Sequence, residues 1–429
     1  TITYSASNSD SCEAKGSFSS IDSLSGTQIF SSWNIGTYNF ELTCTGAGGS
    51  STNAQILNIV ETFPSGTNLR GADFQLSYNS YYINPKVGIN GSGRMIVYCI
   101  DGSASLEIYE WDRDKWLQKG SNLNQRCTDI NMSDDGLTFA VSDAPGRGLV
   151  RIYAWDGVDW SQKGSDLIGE GNSDDFGHEI ALSKNGNIIV IGAKDGCNNG
   201  CRSGQVYVYE WSGSSWNQKG ATINAERDDD RFGISVDIND DGSVIVAGAS
   251  INSNSGGTYA GHSRVFEWNN GSWIQKGSDI DGDQGNGQMG GQTRISGDGN
   301  SIAVSSASGT NTDGKIEIYS WDGSSWNSSS SISGDPVAGQ RVGERLGFSL
   351  DVDKEFKIIA AGAIWNPGND YRVGAVKFYK NGTDVQAGAT YGSNNEGLLG
   401  YDVAINRTGD IAIISGNDIV RVVTLNFDN

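Results

Sequence analysis

Carboxylates and histidines are the side chains of this chain that could carry out acid–base chemistry. Asp228, Asp229 and Asp230 stand in a row, and paired carboxylates are what glycoside hydrolysis requires. In a chain with 51 acidic and 30 basic residues, such a run is more typical of a solvated loop. The two histidines, His178 and His262, fall in different segments, and neither has a serine or cysteine in a nucleophile motif nearby. We therefore predict no catalytic residues and a protein that is not an enzyme.

The acidic balance narrows the range of partners. A formal charge of −21 argues against a nucleic-acid partner, because such proteins need basic side chains to displace phosphate counterions. The same charge disfavours docking on anionic lipid. No apolar run reaches the roughly 18 residues of a membrane span. We predict neither nucleic-acid binding nor membrane insertion.

The six cysteines predict an oxidising compartment, because their number is even. In "CNNGC" the spacing is too tight for half of a zinc site, so a Cys197–Cys201 disulfide that closes a surface loop is predicted. Cys99 and Cys127 are expected to form a second bond. These features predict an extracellular or cell-surface protein, secreted and already without its signal peptide.

Asn-x-Ser/Thr sequences are candidate acceptors for N-linked glycans if the source is a eukaryote. They occur at Asn90, Asn131, Asn270, Asn327, Asn381 and Asn406.

Short strands must position all of these residues. The chain has 60 glycines and 5 prolines, and short Val/Ile/Tyr/Trp runs bounded by Gly, Asn, Asp and Ser recur from end to end. No stretch shows sustained helical spacing, so the predicted fold class is all-β.

Residues 1–62 differ from the rest of the chain. The stretch "GTYNFELTCTGAGGSSTNAQILNIVE" (36–61) predicts two strands around a Gly/Ser turn, and Cys12 and Cys44 are placed like an inter-sheet disulfide of an immunoglobulin-like sandwich. Within it, "YNFELTCTGAGGS" resembles small Ig-like repeats of secreted surface proteins. We count about five strands where a sandwich needs seven. In such repeats another strand precedes the segment that matches the start of this chain, so the resemblance implies that a first strand is missing ahead of Thr1 and that an edge is left open.

A repeat takes over after a linker at residues 63–71. Its full unit, at 203–250, has a strand ending in Tyr-x-Trp, a Trp-x-Gln-Lys-Gly segment, a Phe-Gly strand, a polar Gly turn and a strand ending in Gly-Ala. Seven copies predict a seven-bladed β-propeller over residues 72–429. We expect residues 72–82 to close the last blade beside 419–427. The Gly-Ala strands should line the axis, and the paired tryptophans should pack between blades rather than stack on sugars.

The stretch "VDINDDGSVIVAGA" (236–249) resembles the FG-GAP repeat of integrin-type propellers. The resemblance implies a calcium loop with Asp237, Asn239 and Asp241 as its first ligands. The later acidic ligand of such a loop is absent, since residues 243–246 carry none. The alternative is a polar β-turn that uses Asp, Asn and Gly for their backbone preferences. Apart from calcium here, no cofactor is expected.

The open edge of the first domain favours a structural function. A neighbouring subunit can complete such a sheet by adding a strand, and a head-to-tail contact of this kind produces a filament. The architecture is similar to strand-complemented, pilus-like fibres and to extracellular fibrils of aquatic origin, which implies a homopolymer. The expected contact residues are Ile2 and Tyr4 on the recipient and Val423, Leu425 and Phe427 on the donor, with an inter-blade loop as the second choice of donor.

Two alternatives stay open at this point. In one, the missing strand belongs to the same polypeptide, ahead of Thr1. In the other, the protein is a cell-surface adhesin or binding module, and the face of its propeller holds a glycan or a surface protein.

Overall fold

The chain divides into two compact units, Thr1–Pro64 and Ser65–Asn429, in a computed structural model. The structure describes residues 2–5, 11–16, 25–28, 36–46, 49–59, 66–76, 85–100, 105–197, 202–307, 313–336, 343–365, 374–380, 382–383, 386–391, 398–417 and 419–426, with the backbone alone before Asn68. Within these ranges no helix is long and apolar enough to cross a membrane.

The first unit forms two small antiparallel sheets. Its strands are β1 (Ile2–Ser5), β2 (Ser11–Gly16), β3 (Ser25–Gln28), β4 (Gly36–Gly46) and β5 (Gly49–Ile59). β1 pairs with β3, and β4 lies between β2 and β5. The Ig-like assignment of these strands stays a prediction.

Cys12 and Cys44 lie directly opposite each other on the paired strands β2 and β4. A bond between them would therefore join neighbours within one sheet, which corrects the expected inter-sheet placement. The bond rests on side chains outside the described set, so it stays a prediction.

The second unit is a seven-bladed β-propeller, as the repeat predicts. It opens with β6 (Gly66–Leu69) and β7 (Phe74–Gln75). Blades 1 to 3 contain β8 (Pro85–Ile89), β9 (Met95–Ile100), β10 (Leu106–Asp112), β11 (Lys115–Gln118); β12 (Asp129–Met132), β13 (Thr138–Asp143), β14 (Leu149–Trp155), β15 (Trp160–Gln162), β16 (Leu167–Ile168); and β17 (Phe176–Leu182), β18 (Ile188–Ala193), β19 (Gln205–Trp211), β20 (Trp216–Gln218), β21 (Ile223–Asn224).

The remaining blades repeat this pattern. Blades 4 and 5 contain β22 (Ser235–Ile238), β23 (Val244–Ala249), β24 (His262–Asn269), β25 (Ser272–Gln275), β26 (Ile280–Asp281); and β27 (Thr293–Ile295), β28 (Ser301–Ser305), β29 (Lys315–Trp321), β30 (Trp326–Ser333). Blades 6 and 7 contain β31 (Leu346–Val352), β32 (Ile358–Ala363), β33 (Ala375–Lys380), β34 (Gln386–Tyr391); and β35 (Asp402–Ile405), β36 (Ile411–Gly416), β37 (Ile419–Asn426), with β6 and β7 added.

The first strand of each blade faces the central channel. Each of these strands contacts the first strand of the next blade, and β35 contacts β8, which closes the ring. The Gly-Ala strands that we expected at the axis are second in their sheets instead. Their small residues serve the contact between blades: a Cβ on Gly192 would lie 2.0 Å from the carbonyl oxygen of Gly233 in the next blade.

The tryptophan pairs join neighbouring blades. In five joints the indole Nε1 of the second tryptophan donates to a backbone carbonyl of the preceding blade, over 2.7–2.9 Å. The pairs are Trp116 with Arg70, Trp160 with Lys119, Trp216 with Lys163, Trp273 with Lys219 and Trp326 with Lys276. The basic side chain of the same carbonyl residue lies over the aromatic rings, as Lys119 does 4.8 Å from the Trp155 centroid.

The closing segment begins earlier in the chain than we predicted. β6 and β7 pair with β37 in blade 7, so strand pairing begins inside the predicted linker 63–71. Arg70 and Gly71 take the place of Lys-Gly in the repeat, because Trp116 donates to the Arg70 carbonyl. Gly71 has a φ of 83°, and a Cβ there would lie 3.0 Å from both Trp111 and Trp116.

The closure is also held by an ion pair. The Arg421 guanidinium on β37 donates to both carboxylate oxygens of Asp73, at 2.8–3.3 Å, and the two side chains are only 11% and 17% exposed. The pair joins the start of the propeller to its last strand, across 348 residues of sequence.

We predict that Arg421→Ala lowers the free energy of unfolding of the propeller by about 1–3 kcal/mol, because it leaves a largely buried carboxylate without its partner. Urea unfolding followed by tryptophan fluorescence measures the loss. Arg151→Ala is the matched control: Arg151 pairs with Asp166 inside blade 2, where both side chains are about 30% exposed, and its loss should be below about 1 kcal/mol. Equal losses in the two variants would contradict a special role for the closure.

Candidate functional site

The turns between the first and second strands of the blades surround one end of the channel, which we call the turn mouth. Equivalent turn residues of successive blades are joined there by backbone hydrogen bonds of 2.8–3.2 Å. These run from the N–H of Gly91 to Asp134, Asp134 to Lys184, Lys184 to Asp240, Asp240 to Gly297, Gly297 to Lys354, and Arg407 to Gly91. Since each bond crosses from one blade to the next, this belt fixes the spacing of the blades around the axis.

An arginine lies across the turn mouth. Nε of Arg407 donates to Oδ1 of Asp134 at 2.6 Å, and its two terminal nitrogens donate to the carboxylate of Asp240 at 2.8 and 2.9 Å. The three residues belong to blades 7, 2 and 4, so the ion pairs span the opening. The cavity behind them has a volume of about 120 Å³. This end of the channel is therefore a filled core rather than a conduit.

Carboxylates in the channel hold neighbouring blades together. Each accepts a hydrogen bond from a backbone N–H on the first strand of the next blade, over 2.8–2.9 Å. The pairs are Asp129 with Ile180, Asp237 with Ile295, Asp351 with Ile405 and Asp402 with Val87. The first strand is an edge of its sheet, so its outward N–H groups have no strand partner and the carboxylates satisfy them.

A second arginine lies deeper in the channel. Arg294 donates to Oε1 of Glu179 at 2.7 Å, and its Nε lies 3.5 Å from Oδ1 of Asp351. Burial raises the pKa of Glu179 to about 8, even though Arg294 acts to lower it. Burial likewise raises the pKa values of Asp129 and Asp351 to about 6. The channel thus contains several buried carboxyl groups that ionise less readily than they would in water.

Sequence reasoning did not identify Arg294, Glu179 or Arg407. The signal that was available is the position in the repeat. Arg407 precedes its turn glycine by two residues, as Asp134 and Asp240 precede theirs. Because the three residues occupy equivalent positions in their repeats, their side chains are expected at the same depth in the channel. The repeat does not indicate which of them form pairs.

The three residues of the predicted calcium loop have structural partners. Asp237 accepts hydrogen bonds from the N–H groups of Ile238 and Ile295, and its Oδ2 lies 3.8 Å from Nζ of Lys354. Oδ1 of Asn239 accepts from Ser243 and Val244, and Oδ1 of Asp241 accepts from Ser243.

This geometry follows the alternative β-turn interpretation. Asn239 and Asp241 stabilise the turn, while Asp237 belongs to the junction with blade 5. Calcium at these residues stays an untested expectation.

The opposite end of the channel, which we call the loop mouth, is a pocket of about 480 Å³. Phe348 and Tyr401 lie side by side there with ring centroids 5.4 Å apart, and Nζ of Lys86 lies 6.0 Å from the Tyr401 ring. The hydroxyl of Ser305 is buried and has no hydrogen-bond partner among the described residues. An aromatic platform beside a cation and hydroxyl or amide groups is chemically suited to a polar ring such as a sugar.

The cysteines of the propeller differ from one another. Cys99 and Cys127 form a buried disulfide that ties β9 of blade 1 to the segment before β12. Cys197 instead has a free, exposed thiol whose sulfur lies 3.5 Å from the carbonyl oxygen of Asp195. This is contrary to the predicted Cys197–Cys201 bond; Cys201 itself lies outside the described residues.

The candidate glycan acceptors separate by burial. Asn90 and Asn406 are 4% and 1% exposed. Each uses its side-chain oxygen to accept two backbone N–H groups of its own turn. Such asparagines are unavailable on the folded chain, which corrects both predictions.

The other acceptors are more varied. Asn131 is half-buried and bonds the N–H of Leu182, whereas Asn270 and Asn327 are exposed in the region of the outer hairpins. Asn381 lies outside the described residues.

The predicted donor residues are already used within blade 7. β37 pairs with β36 on one side and with β6 on the other. Val423 and Leu425 are 1% and 5% exposed, so they cannot fill a groove of another subunit without opening the blade. This corrects the predicted donor, whose third member, Phe427, lies outside the described residues. On the recipient side, Ile2 and Tyr4 lie on β1, opposite Gln28 and Gly26 of β3.

The repeat itself builds the contacts between blades. Phe176, at the Phe-Gly of blade 3, forms a parallel bridge with Gly148 of blade 2, and the equivalent bridge recurs at four more junctions. The sequence model of the FG-GAP repeat matches residues 169–209, which span this Phe-Gly and the Gly-Ala of β18. A comparison with curated proteins finds no match.

We predict that Asp237→Ala destabilises the propeller by about 1–2 kcal/mol because it leaves the N–H of Ile295 unsatisfied, whereas Asp237→Asn keeps an acceptor and loses less. Thermal unfolding in calcium and in EDTA measures both effects. If Asp237 is a junction residue and not a ligand, calcium should shift the unfolding midpoints of both variants by no more than it shifts the wild-type midpoint. A calcium-dependent rise in the wild-type midpoint that both variants lose would restore the ligand assignment.

We predict that the propeller becomes less stable as the pH rises from 6.5 to 8. A carboxyl group whose pKa is raised in the folded state contributes stability that is present below its unfolded pKa and lost as the pH passes its folded pKa. For Glu179 the window runs from about 4.5 to about 8. Both histidines have lowered pKa values, so their effect falls below pH 6.5.

The measurement is the urea midpoint at several pH values. The expected slope is on the order of 1 kcal/mol per pH unit near the middle of the window, since one proton corresponds to about 1.4. Glu179→Gln should flatten the curve because it is permanently neutral. An unchanged slope in that variant would remove Glu179 as the cause.

Proposed function

We propose that the chain is a non-enzymatic extracellular structural protein, because it contains a seven-bladed β-propeller with a match to the FG-GAP repeat at residues 169–209, and such propellers are typically non-catalytic. Its partner is another copy of the same chain, and the copies assemble head to tail into a filament by strand addition. The Cys99–Cys127 disulfide supports an oxidising, extracellular location.

The observation that carries the proposal is an unprotected sheet edge in the first unit. β5 is 11 residues long, and among the described strands it pairs only with β4. Its sequence, "GSSTNAQILNI", contains no charged residue and no proline. Proteins usually protect a long edge with charges or proline, because its free N–H and C=O groups otherwise pair with another chain.

β1 offers a second edge of the same kind. Its sequence, "ITYS", is also uncharged, and within the described part of the chain it pairs only with β3. A strand from another subunit beside β1 or β5 would satisfy the backbone groups of that edge and place alternate side chains against the sheet. An edge that is completed in this way is stable only in the assembly.

The donor is expected on the propeller of the neighbouring subunit. Val423 and Leu425 are excluded by their burial in blade 7, so an inter-blade loop of the neighbour is the donor that we propose. Donor and recipient are then different surfaces of the chain. A contact between two different surfaces generates a ring or an open filament, and the open filament is the outcome when the rotation does not close.

The loop mouth supports a second candidate function. Its pocket of about 480 Å³, with Phe348, Tyr401 and Lys86, has the size and lining of a site for a small polar ligand. In this alternative the protein is a cell-surface adhesin whose propeller binds a glycan or a protein.

Imaging of the purified native protein by negative-stain electron microscopy distinguishes the two functions. We expect filaments, and we expect the double variant Ile2→Asp, Tyr4→Asp to abolish them, because carboxylates on β1 oppose both strand pairing and burial at this edge. Asn58→Lys tests β5 in the same way. Filaments that persist in both variants would rule out the first unit as the recipient.

Val158→Asp is the matched control, because Val158 is 83% exposed at a hairpin tip of blade 2. This variant should form filaments as the wild type does, and all variants should keep the tryptophan fluorescence of the folded propeller. Discrete particles at high concentration of the wild type would contradict the filament proposal. Glycan binding by such particles, lost in Tyr401→Ala, would support the adhesin.

A further inference from the structure

The junction between blades 3 and 4 brings a histidine and two carboxylates together, away from the channel. His262 begins β24, the third strand of blade 4. Glu226 follows β21, the last strand of blade 3, and Asp279 immediately precedes β26. One ligand atom from each side chain lies within 4.8 Å of those of the other two.

The side chain of His262 is buried beside these carboxylates. Its side chain is 2% exposed, and no hydrogen bond of its ring occurs within the described part of the chain; its closest acidic neighbour is Asp281, 3.9 Å from Nδ1. An imidazole binds metal ions through the lone pair of a ring nitrogen. A buried imidazole without a partner is costly unless something binds it.

The neighbouring arginine leaves room for a cation. Arg264 spends its hydrogen bonds on Gln275 and on the carbonyl oxygen of Asn224, and its guanidinium stacks 4.9 Å from the ring centroid of Phe266. Its nitrogens lie 3.9 Å from Glu226 and 3.7 Å from Asp279, beyond hydrogen-bond distance. The charge of the cluster with Arg264 included is negative, since it has two carboxylates and one guanidinium.

We propose that Glu226, His262 and Asp279 bind a zinc ion at this junction. Imidazole nitrogen and carboxylate oxygen are both zinc ligands, and with three protein ligands a water molecule would complete a tetrahedral coordination. The Glu226 side chain is 40% exposed and opens the cluster to solvent, whereas the His262 side is closed. Because the ligands come from both blades, the ion would also brace the junction.

The other blades supply matched controls. Gln205 occupies the position of His262 in blade 3, where it donates to Asn224 at 2.9 Å. His262→Gln therefore introduces a residue that the same position accepts in the neighbouring blade. In blade 2 the equivalents of His262 and Asp279 are Leu149 and Asp166, and Asp166 accepts from Gln162 as Asp279 accepts from Gln275.

The experiment is calorimetric titration of ZnCl2 into the full chain after removal of metals with EDTA. A Cys197→Ser, Cys201→Ser background excludes these two cysteines as competing zinc ligands. We expect one zinc per chain, and affinity reduced by at least about tenfold in His262→Gln and in Asp279→Asn. Asp166→Asn should bind zinc as its parent does.

Cobalt provides an independent readout. Co²⁺ bound to this cluster should give visible absorption bands in the parent that are absent in His262→Gln. No zinc binding by the parent, or equal binding by the parent and His262→Gln, overturns the proposal. Neither result depends on filament formation, so the zinc proposal and the filament proposal are tested independently.

Discussion

Each blade of the ring presents its first strand, an unpaired sheet edge, toward the axis, and the propeller depends on satisfying the backbone groups of that edge. The described junctions do so from the neighbouring blade. Backbone bonds between equivalent turn residues form a belt at the turn mouth. Above it, channel carboxylates such as Asp129 and Asp402 accept the remaining N–H groups of the next blade. An acidic residue that looks like a metal ligand in the sequence is thus a substitute for a strand partner.

The outer half of each junction relies on a different device. A tryptophan indole donates to the carbonyl of a Lys-Gly pair in the preceding blade, and the small glycine lets the two blades approach. Each blade is therefore held against its neighbour at two distances from the axis, by polar contacts near the channel and by aromatic contacts near the rim. The arrangement resists rotation of one blade against the next, because both sets would have to break together. The ion pair between Arg421 and Asp73 acts within blade 7, where it helps to hold β6 and β7, from the start of the propeller, against the last strand, β37.

Much of this architecture could be predicted from the sequence, because the repeat carries it. The Tyr-x-Trp and Gly-Ala elements predict the number of blades, and the equivalence of the tryptophans predicts their packing role. The closing strand lies earlier than predicted because Arg70-Gly71 keeps the glycine of the repeat but lacks its tryptophan, so no aromatic residue marks the repeat at that point. Pairs such as Arg407 with Asp240 could not be predicted, because the position in the repeat indicates how deep a side chain lies in the channel but not which other blade it reaches. Burial of Asn90 and Asn406 was equally hidden, because an acceptor sequence and a polar turn use the same residue types.

The two units place opposite demands on sheet edges. In the propeller, edges are turned to the axis and satisfied by side chains and turns of the same chain, which makes the ring self-sufficient. In the first unit, β1 and β5 keep uncharged edges with one partner each among the described strands. The propeller satisfies its described sheet edges within the same chain, whereas β1 and β5 lack the charges and proline that usually protect an edge. This difference favours the proposal that β1 or β5 pairs with another chain. In the proposed filament, the uncharged edges of β1 and β5 would pair with the next subunit, while the propeller, whose described edges are satisfied within the chain, would remain a closed ring.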